Sequence, residues 1–277
     1  MKLLSYRPRM ARSLMLIMSA LLVAAGTLLS IGTEPANAEY GIGRCTAVEV
    51  LAHRGLAASW ATENTLRAFN NAYSKGVRTM ETDIRMTRDG QWVLMHDATI
   101  NRTTRNSGAV ANMSLAQIKN IVTNDGHRGN VPSLAEFAAW AKARPTVKLQ
   151  VELKVGVSTA NIKKALTILS SNGLKSRTVI TSFIGTALLR AKAADPGWQQ
   201  GIIISSQRSA ASIRRFGNNV ILNENKATFK YLRTLHRSNI RVYTWTVDSK
   251  SQWKKMVRNG ANAVISNHSP SMRSYCR

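Results

Sequence analysis

Acidic residues are scarce in this 277-residue sequence, which has 14 Asp and Glu against 39 Lys and Arg and a formal net charge of +25. So basic a chain is attracted to anionic polymers and surfaces, among them teichoic acids, anionic phospholipid and nucleic acid. The basic residues are spread along the chain and no nucleic-acid-binding module is recognisable, so we predict no specific nucleic-acid partner. Solubility and general adhesion explain the charge equally well.

Long apolar runs are lacking after residue 31, so we predict no transmembrane segment beyond that point. The single run, Ser13 to Ile31, follows a basic stretch and precedes the small residues Ala36-Asn37-Ala38. This order predicts a secretory signal peptide over residues 1–38, cleaved after Ala38, with an uncleaved anchor as the alternative. Loss of its four basic residues and one acidic residue would leave a charge of +22 on a secreted, extracellular or cell-wall-associated protein.

Only two cysteines are present, Cys45 just before the first predicted strand and Cys276 one residue from the end. In an oxidising compartment an even pair favours a disulfide. The bond would join the first strand to the last segment if the fold brings the two ends together. Two unpaired thiols are the alternative.

A glycine-rich phosphate fingerprint is absent after the first predicted strand, which argues against an open doubly wound sheet. Instead, short apolar strand patterns alternate with amphipathic helical patterns, as in a parallel sheet covered by helices. The predicted strands are Val48–Ala52, Thr79–Asp83, Val147–Leu153, Val179–Ser182, Gly201–Ser205, Val220–Leu222, Arg241–Thr246 and Ala263–Ser266. The predicted helices are Thr65–Lys75, Ser133–Ala143, Asn161–Ser171, Gly185–Ala193, Ala210–Phe216, Lys226–Ser238 and Lys250–Asn259. Eight such strands predict an α/β protein with a closed TIM (β/α)8-type barrel, formed as one domain over residues 39–277.

This strand count leaves out Gln91–Met95, which also reads as strand. Asp89-Gly90 lies between strand-like residues and is a strong hairpin signal. We therefore predict a short, hairpin-containing insertion over about residues 85–132, beyond the second strand. The hairpin would return His96 to the level of the second strand's carboxylates.

Acidic side chains, though few, fall at predicted strand ends. Glu81 and Asp83 lie two apart on the second strand, so they point to the same face, and Glu152 ends the third. A barrel gathers strand ends at one end of the molecule. Three carboxylates with water suit one Ca²⁺ or Mg²⁺ and not Zn²⁺, which prefers histidine or cysteine ligands.

Histidines and cations reach the same predicted rim. His53 and Arg54 follow the first strand, Lys154 follows the third, and His96 follows the hairpin. Arg54 and Lys154 would neutralise a phosphate. His53 and His96 would flank the phosphorus, one accepting a proton and the other donating one.

Six spaced motifs carry a family resemblance. They are His53-Arg54-Gly55, Glu63-Asn64-Thr65, Glu81-Thr82-Asp83, His96-Asp97, Arg102-Thr103-Thr104 and Glu152-Leu153-Lys154. Together they closely resemble the glycerophosphodiester phosphodiesterase family, over nearly the whole of residues 39–277. The resemblance implies a TIM-type barrel and metal-dependent hydrolysis of glycerophosphodiesters to glycerol 3-phosphate and an alcohol.

The resemblance also implies a role for each matched residue. The metal ligands fall on Glu81, Asp83 and Glu152, the acid/base pair on His53 and His96, and the phosphate-contacting cations on Arg54 and Lys154. Trp245 occupies the position of an aromatic residue that packs against the glycerol backbone, a core aromatic being the alternative. We expect a monomer with an open site that admits a small, lipid-derived or teichoic-acid substrate.

Two departures from the family pattern concern the C-terminus. Ile265-Ser266-Asn267 stands where the family has a Thr-Asp pair, a change that either loosens support of the site or simply marks a divergent branch. We also expect no final helix, because only about ten residues follow the last strand and Pro270 is among them. The predicted disulfide would then close the barrel in its place.

Two other functions stay open from the sequence. A phospholipase D of the sphingomyelinase type has the same barrel and a similar Glu-x-Asp pair. A barrel that binds anionic polymer without turnover would explain the charge and the altered last strand.

Overall fold

Nine strands form a single sheet in the computed structural model, which describes residues 45–58, 60–127 and 130–276. The strands are β1 (Glu49–Ala52), β2 (Thr79–Met86), β3 (Trp92–Leu94), β4 (Lys148–Leu153), β5 (Thr178–Ser182), β6 (Gln199–Ile204), β7 (Asn219–Asn223), β8 (Arg241–Trp245) and β9 (Ala263–Ser266). The predicted signal peptide lies outside the described residues.

Helices alternate with these strands. They are α1 (Leu66–Ser74), α2 (Leu115–Lys119), α3 (Leu134–Lys142), α4 (Thr159–Ser171), α5 (Gly185–Ala194), α6 (Ala210–Arg214), α7 (Phe229–Arg237), α8 (Lys250–Asn259) and α9 (Ser269–Tyr275). Thr65, Ser133 and Ser249 each cap the helix that follows by accepting a hydrogen bond from a first-turn amide. These caps explain why the predicted starts of these three helices are accurate to within one residue.

All strands except β3 pair in parallel with their neighbours and close into a barrel. β1 completes the circle because it pairs with β2 through Leu51 and Thr79 and with β9 through Ala52 and Ser266. The predicted TIM-type barrel is thus confirmed. Because all eight strands run the same way, their C-terminal ends meet at one end of the barrel.

The core has two layers. Inside the barrel, Leu51, Ile203, Ile221, Tyr243 and Ile265 form a compact apolar cluster. A much larger cluster fills the space between the strands and the surrounding helices. The interior cluster fills the barrel below the strand ends, so polar groups that follow the strands lie at its open rim.

β3 lies outside the barrel and pairs antiparallel with the end of β2, where Ile84 faces Leu94 and Met86 faces Trp92. The tight turn between them contains Asp89 and Gly90, and Gly90 has a φ of +73° that favours glycine. This antiparallel pairing explains why β2 runs three residues beyond its predicted end at Asp83.

The expectation that no final helix exists is wrong, since α9 covers Ser269–Tyr275. Pro270 lies in its first turn, where the missing amide hydrogen breaks no helical hydrogen bond. A second correction concerns α7, which begins at Phe229 because Glu224–Lys226 forms a separate 3₁₀ turn.

The predicted disulfide is present and joins Cys45 to Cys276, with their Cα atoms 5.0 Å apart. Cys276 caps the C-terminus of α9, so the bond fastens this helix to the entrance of β1 and does not replace it. Within the described ranges, no helix is both long and apolar enough to cross a membrane.

Candidate active site

The three predicted metal ligands lie together at the C-terminal end of the barrel. One carboxylate oxygen from each of Glu81, Asp83 and Glu152 lies within 4.8 Å of the others. All three side chains are buried. β2 and β4 bring them together because Asp83 faces Glu152 in the parallel register. An all-oxygen set at this spacing fits a hard divalent cation.

Burial of three like charges makes this cluster unfavourable for the protein alone. Burial raises the pKa of Glu81 well above its usual range, and the charge of Asp83 adds to the rise. Burial and Asp83 likewise raise the pKa of Glu152 to about 7. Burial also opposes ionisation of Asp83, but Lys154 and Arg54 outweigh it and lower the pKa of Asp83. The three carboxylates therefore need more positive charge beside them, and a bound cation would supply it.

Two cations already contact the cluster. Lys154 Nζ lies 3.0 Å from Glu152 Oε1 and 3.3 Å from Asp83 Oδ1. Arg54 Nε lies 3.3 Å from Asp83 Oδ2 on the other side. Both side chains are mostly buried, so neither charge is fully screened by solvent.

The turn after β1 adopts an uncommon backbone conformation. Arg54 has a φ of +54°, and its amide N–H donates to Glu81 Oε2 at 2.9 Å. Gly55 follows at a φ of +81°, where a Cβ atom would lie 2.8 Å from the carbonyl carbon of Ala68 in α1. Only glycine fits this approach, so the motif is required to aim the Arg54 amide at the Glu81 carboxylate.

Asn64 orients Asp83, a role that the sequence did not suggest. Its Nδ2 donates to Asp83 Oδ2 at 2.9 Å, while its Oδ1 accepts from the hydroxyl of Thr82 at 2.8 Å. Asn64 is buried and has a φ of +56°. The sequence feature that could have revealed this role is the place of Asn64 in the motif Glu63-Asn64-Thr65, just before a helix.

His53 follows β1 and is held by the residue that follows β9. His53 Nδ1 lies 2.8 Å from Asn267 Oδ1, and the backbone amide of His53 donates to the carbonyl of Ser266 at 3.1 Å. Burial and the nearby Arg54 guanidinium lower the pKa of His53. The Ser266-Asn267 pair therefore contacts this histidine directly, through the Ser266 carbonyl and the Asn267 side chain.

His96 belongs to a chain of charged groups. Asp97 Oδ1 lies 2.6 Å from His96 Nδ1, and Asp97 Oδ2 accepts from Arg102 Nε at 2.7 Å. Arg102 also donates to both oxygens of Glu63, which pairs with Arg54 at 3.0 Å. Glu63 thus supports the turn after β1 and does not cap α1.

The hydrogen-bonded neighbours of Asp97 and His96 act on the pKa values of these two residues in opposite directions. Burial disfavours the ionised form of Asp97, but hydrogen bonds from Arg102 and His96 lower the pKa of Asp97 to about 2. Burial lowers the pKa of His96, although Asp83 and Asp97 act in the other direction. Because Asp97 stays ionised and only accepts hydrogen bonds, His96 Nδ1 carries the hydrogen and Nε2 keeps its lone pair.

Aromatic side chains form one wall of the site. Trp245 ends β8, and its ring meets that of Phe183 edge to face at 5.6 Å. Trp245 Nε1 is buried and has no hydrogen-bond partner among the residues that the structure describes. Phe183, which sequence reasoning missed, is 46% exposed at the strand-end rim. Packing of Trp245 against glycerol stays a prediction.

One pocket brings together all eight predicted metal, catalytic and substrate-contacting residues. They are His53, Arg54, Glu81, Asp83, His96, Glu152, Lys154 and Trp245. Its volume of about 50 Å³ accommodates a few waters or an ion but not a whole substrate. A substrate must therefore lie across the open rim, with only its reacting group inside.

The Glycerophosphoryl diester phosphodiesterase family model matches residues 53–270, which is more than half of the chain. The chain belongs to this family. A Mycobacterium tuberculosis (strain H37Rv) relative named probable glycerophosphodiester phosphodiesterase 1 is 30% identical over 230 residues, covering 72% of this chain and 81% of its own. A Caldanaerobacter subterraneus glycerophosphodiester phosphodiesterase is 25% identical over 234 residues, covering 78% and 92%.

Solved structures agree with this assignment. An Oleispira antarctica phosphodiesterase in complex with the product sn-glycerol-3-phosphate superposes with a TM-score of 0.75 at 25% identity, covering 82% of this chain and 95% of that chain. A Thermotoga maritima glycerophosphodiester phosphodiesterase gives a TM-score of 0.67 at 20% identity, covering 82% and 98%, which shows the shared fold. The family match and the relatives at 25% identity or more favour a glycerophosphodiester phosphodiesterase over a polymer-binding barrel without turnover and over a sphingomyelinase-type phospholipase D.

Proposed function

We propose that this protein is a secreted, metal-dependent phosphodiesterase that hydrolyses glycerophosphodiesters to glycerol 3-phosphate and an alcohol. The observation that carries the proposal is the pocket in which three buried carboxylates, two cations and two histidines converge. A site with this charge pattern suits an anionic phosphate bridged to a cation. The family membership and the product named in the Oleispira antarctica complex support the same substrate class.

Glu81, Asp83 and Glu152 would hold one divalent cation, Ca²⁺ or Mg²⁺. Their oxygen-only chemistry and burial fit such an ion. When bound, the cation would polarise a phosphoryl oxygen and neutralise its charge. Asn64 and the Arg54 amide keep two of the carboxylates oriented through their hydrogen bonds, so the ligands are fixed before an ion arrives.

Arg54 and Lys154 would bind the phosphate oxygens that face away from the cation. Arg54 can present its guanidinium to oxygens in a fork-like geometry, whereas Lys154 acts as a compact charge. Both side chains lie in a mostly buried setting, where charge that develops during the reaction is stabilised more strongly than in water.

His53 and His96 would transfer the protons. Each has Nδ1 engaged with a side-chain oxygen, at 2.8 Å and 2.6 Å respectively, and both rings line the pocket. In each ring, Nε2 is the nitrogen left to act on substrate. One histidine, with Nε2 unprotonated, accepts the proton of the attacking hydroxyl, while the other, charged and with hydrogen on both nitrogens, donates its Nε2 proton to the departing alcohol. Burial lowers the pKa of both rings, which favours the neutral, proton-accepting form, so the proton-donating ring needs negative charge beside it, such as that of a bound phosphate.

The open rim and basic surface bear on the natural substrate. Only the reacting phosphate needs to enter the pocket, so a small diester, a lipid-derived diester or a poly(glycerol phosphate) teichoic acid fits the same site. A charge of +22 on the processed chain would draw it toward anionic membranes and wall polymers. Secretion is testable by N-terminal sequencing of exported protein, which should begin at Glu39.

The proposed activity is tested by measuring glycerol 3-phosphate released from glycerophosphocholine by purified residues 39–277. Release should stop with chelator and return when Ca²⁺ or Mg²⁺ is restored. His96→Ala is the matched inactive control. Folded protein that releases no glycerol 3-phosphate with either cation, yet releases choline from sphingomyelin, would contradict the proposal. Parallel assays on lysophospholipid and on teichoic acid would identify the preferred substrate class.

A further inference from the structure

Asn267 occupies a position that allows it to control His53. β1 and β9 are neighbours with Ala52 opposite Ser266, so the residues that follow these strands meet at the rim. Asn267 Oδ1 lies 2.8 Å from His53 Nδ1. An amide can face a histidine with either its oxygen or its NH₂ group, so its orientation needs a second constraint.

Asp248 supplies that constraint. Its Oδ2 accepts from Asn267 Nδ2 at 2.7 Å, and its Oδ1 accepts from the Asn267 backbone amide at 2.8 Å and from the Ser266 hydroxyl at 3.1 Å. Asp248 is itself fixed because its backbone amide donates to the side chain of Gln252 at 3.1 Å, in the first turn of α8. An ionised carboxylate accepts hydrogen bonds only, so the NH₂ group of Asn267 must face Asp248.

We propose that Asp248 is a positioning residue that fixes the tautomer of His53 through Asn267. With its NH₂ group on Asp248, Asn267 must present its oxygen to His53. His53 Nδ1 then carries the hydrogen, and Nε2 keeps the lone pair that acts on substrate. This inference rests on the proposed function for its catalytic consequence, whereas the tautomer itself does not depend on turnover.

Asn267 and Asp248 are matched as hydrogen-bond donor and acceptor, and this makes a specific prediction about Asp248→Asn. The oxygen of the new side chain must stay with the Asn267 backbone amide, which cannot rotate. The new NH₂ group then faces Asn267 and forces its amide to turn over, so that Asn267 Nδ2 points at His53. His53 Nδ1 must then accept a hydrogen bond, and the hydrogen moves to Nε2. Adding Asn267→Asp reverses this, because a carboxylate accepts both from the amide introduced at position 248 and from His53.

The deciding experiment is long-range ¹H–¹⁵N NMR of residues 39–277 with ¹⁵N-labelled histidine at pH 8, without substrate. His236 is an internal reference of the opposite tautomer. Its Nε2 lies 3.1 Å from Asn262 Oδ1, and the same oxygen accepts from the backbone amide of Val242 at 2.7 Å. Wild-type protein should show His53 as the Nδ1–H form and His236 as the Nε2–H form.

Asp248→Asn should convert His53 to the Nε2–H form and leave His236 unchanged. The double variant Asp248→Asn/Asn267→Asp should restore the Nδ1–H form. Asp248→Ala removes the acceptor, so the Asn267 amide can turn and His53 should show a mixture of both tautomers. This variant replaces Asp248→Asn in the test if Asp248→Asn fails to fold. An Nε2–H form of His53 in wild-type protein, or an unchanged Nδ1–H form in Asp248→Asn and Asp248→Ala, would overturn the proposal.

Kinetics then connect the tautomer to catalysis. Asp248→Asn should lower kcat by about 100-fold, since the Nε2 atom that faces the substrate would carry the hydrogen and lose its lone pair. KM and cation affinity should stay within about twofold, and the double variant should recover most of kcat. Asp195→Asn is the matched control, because that carboxylate also accepts from a backbone amide but lies before β6, at the other end of the barrel. Inactive wild-type protein with the expected NMR signatures would refute the proposed function alone.

Discussion

The two ends of the barrel use charge in opposite ways. At the C-terminal end, three buried carboxylates share two cations. At the N-terminal end, the single carboxylate of Glu49 accepts from the Thr79 hydroxyl at 2.7 Å and pairs with Lys148 at 3.3 Å and Arg241 at 3.6 Å. Three carboxylates thus contact two cations at the first end, whereas one carboxylate contacts two cations at the second. An excess that the fold does not neutralise indicates a ligand site.

Exposure separates the two ends further. Lys148 and Arg241 are 62% and 54% exposed, so their pairs with Glu49 are screened and contribute little stability. Glu81, Asp83 and Glu152 are almost fully buried, so their mutual repulsion is costly. Cavity volume alone would mislead here, because a cleft of about 590 Å³ lies at the strand starts near Gln199 and Asn219. Charge arrangement identifies the functional end.

The largest expected effect comes from Glu81→Gln. This change removes one metal ligand yet keeps an oxygen for the Arg54 amide, so activity should fall at least about 1,000-fold. In chelator at pH 8 the free energy of unfolding should rise by about 1 kcal/mol, because a buried like charge is removed. Cation titration calorimetry and denaturant unfolding check both effects. Retained activity with cation bound would show that Glu81 is not a ligand.

His96→Ala should lower kcat by about 1,000-fold, because the ring that exchanges a proton with substrate is lost. Cation affinity should remain within about threefold, since His96 is not among the oxygen ligands. Calorimetry and turnover measured on the same preparation distinguish the two variants, because His96→Ala should lose turnover alone and Glu81→Gln should lose both turnover and cation binding. Joint loss of affinity and turnover would instead place His96 in the metal site.

The double variant Cys45→Ser/Cys276→Ser tests the opposite end. The disulfide closes a long loop, so its removal should lower the free energy of unfolding by about 3 kcal/mol. Turnover should stay within about twofold at a temperature where the variant is folded. Denaturant unfolding of reduced wild-type protein is the control. A large loss of kcat in the folded variant would mean that the two ends are coupled.

Asp97→Asn gives a pH-dependent effect. The pKa of Asp97 is lowered to about 2 in the folded protein, so its contribution is present above its ordinary pKa of 3.8 and is lost as pH falls through about 2. We expect the variant to be about 1 kcal/mol less stable at pH 6, allowing for partial exposure. The two proteins should converge near pH 2, as measured by urea unfolding. A difference independent of pH would exclude an electrostatic origin.

Glu49→Gln should have the smallest effect and is the matched control for Glu81→Gln. It is also a strand glutamate, but its ion pairs are exposed, so its loss should cost about 0.5 kcal/mol. Turnover and cation affinity should be unchanged. A loss of cation binding in this variant would remove the distinction between the two ends.

The alternation of strands and helices was enough to predict the barrel and the rim position of His53, Glu81, Asp83 and Glu152. Parallel strands of one barrel must end together, so strand-end residues meet whatever the details of packing. The error at α9 has a local cause. Pro270 suggested a helix break, but proline is compatible with the first turn of a helix.

The contacts that orient the site could not be predicted in the same way. Asn64 reaches Asp83 only because its backbone takes a left-handed conformation and α1 packs under the turn after β1. Asn267 and Asp248 follow different strands, and the contact of Asn267 with His53 depends on the pairing of β1 with β9. Such contacts come from tertiary register, which a residue pattern does not specify.

The most direct test of the claim that the C-terminal end is a metal centre is a crystal structure of residues 39–277 with Mn²⁺, recorded where manganese scatters anomalously. We predict one anomalous peak at the strand ends, within about 2.5 Å of an oxygen from each of Glu81, Asp83 and Glu152. The peak should be absent from Glu81→Gln crystals grown in the same way. A peak elsewhere, or none at a Mn²⁺ concentration that supports turnover, would contradict the account.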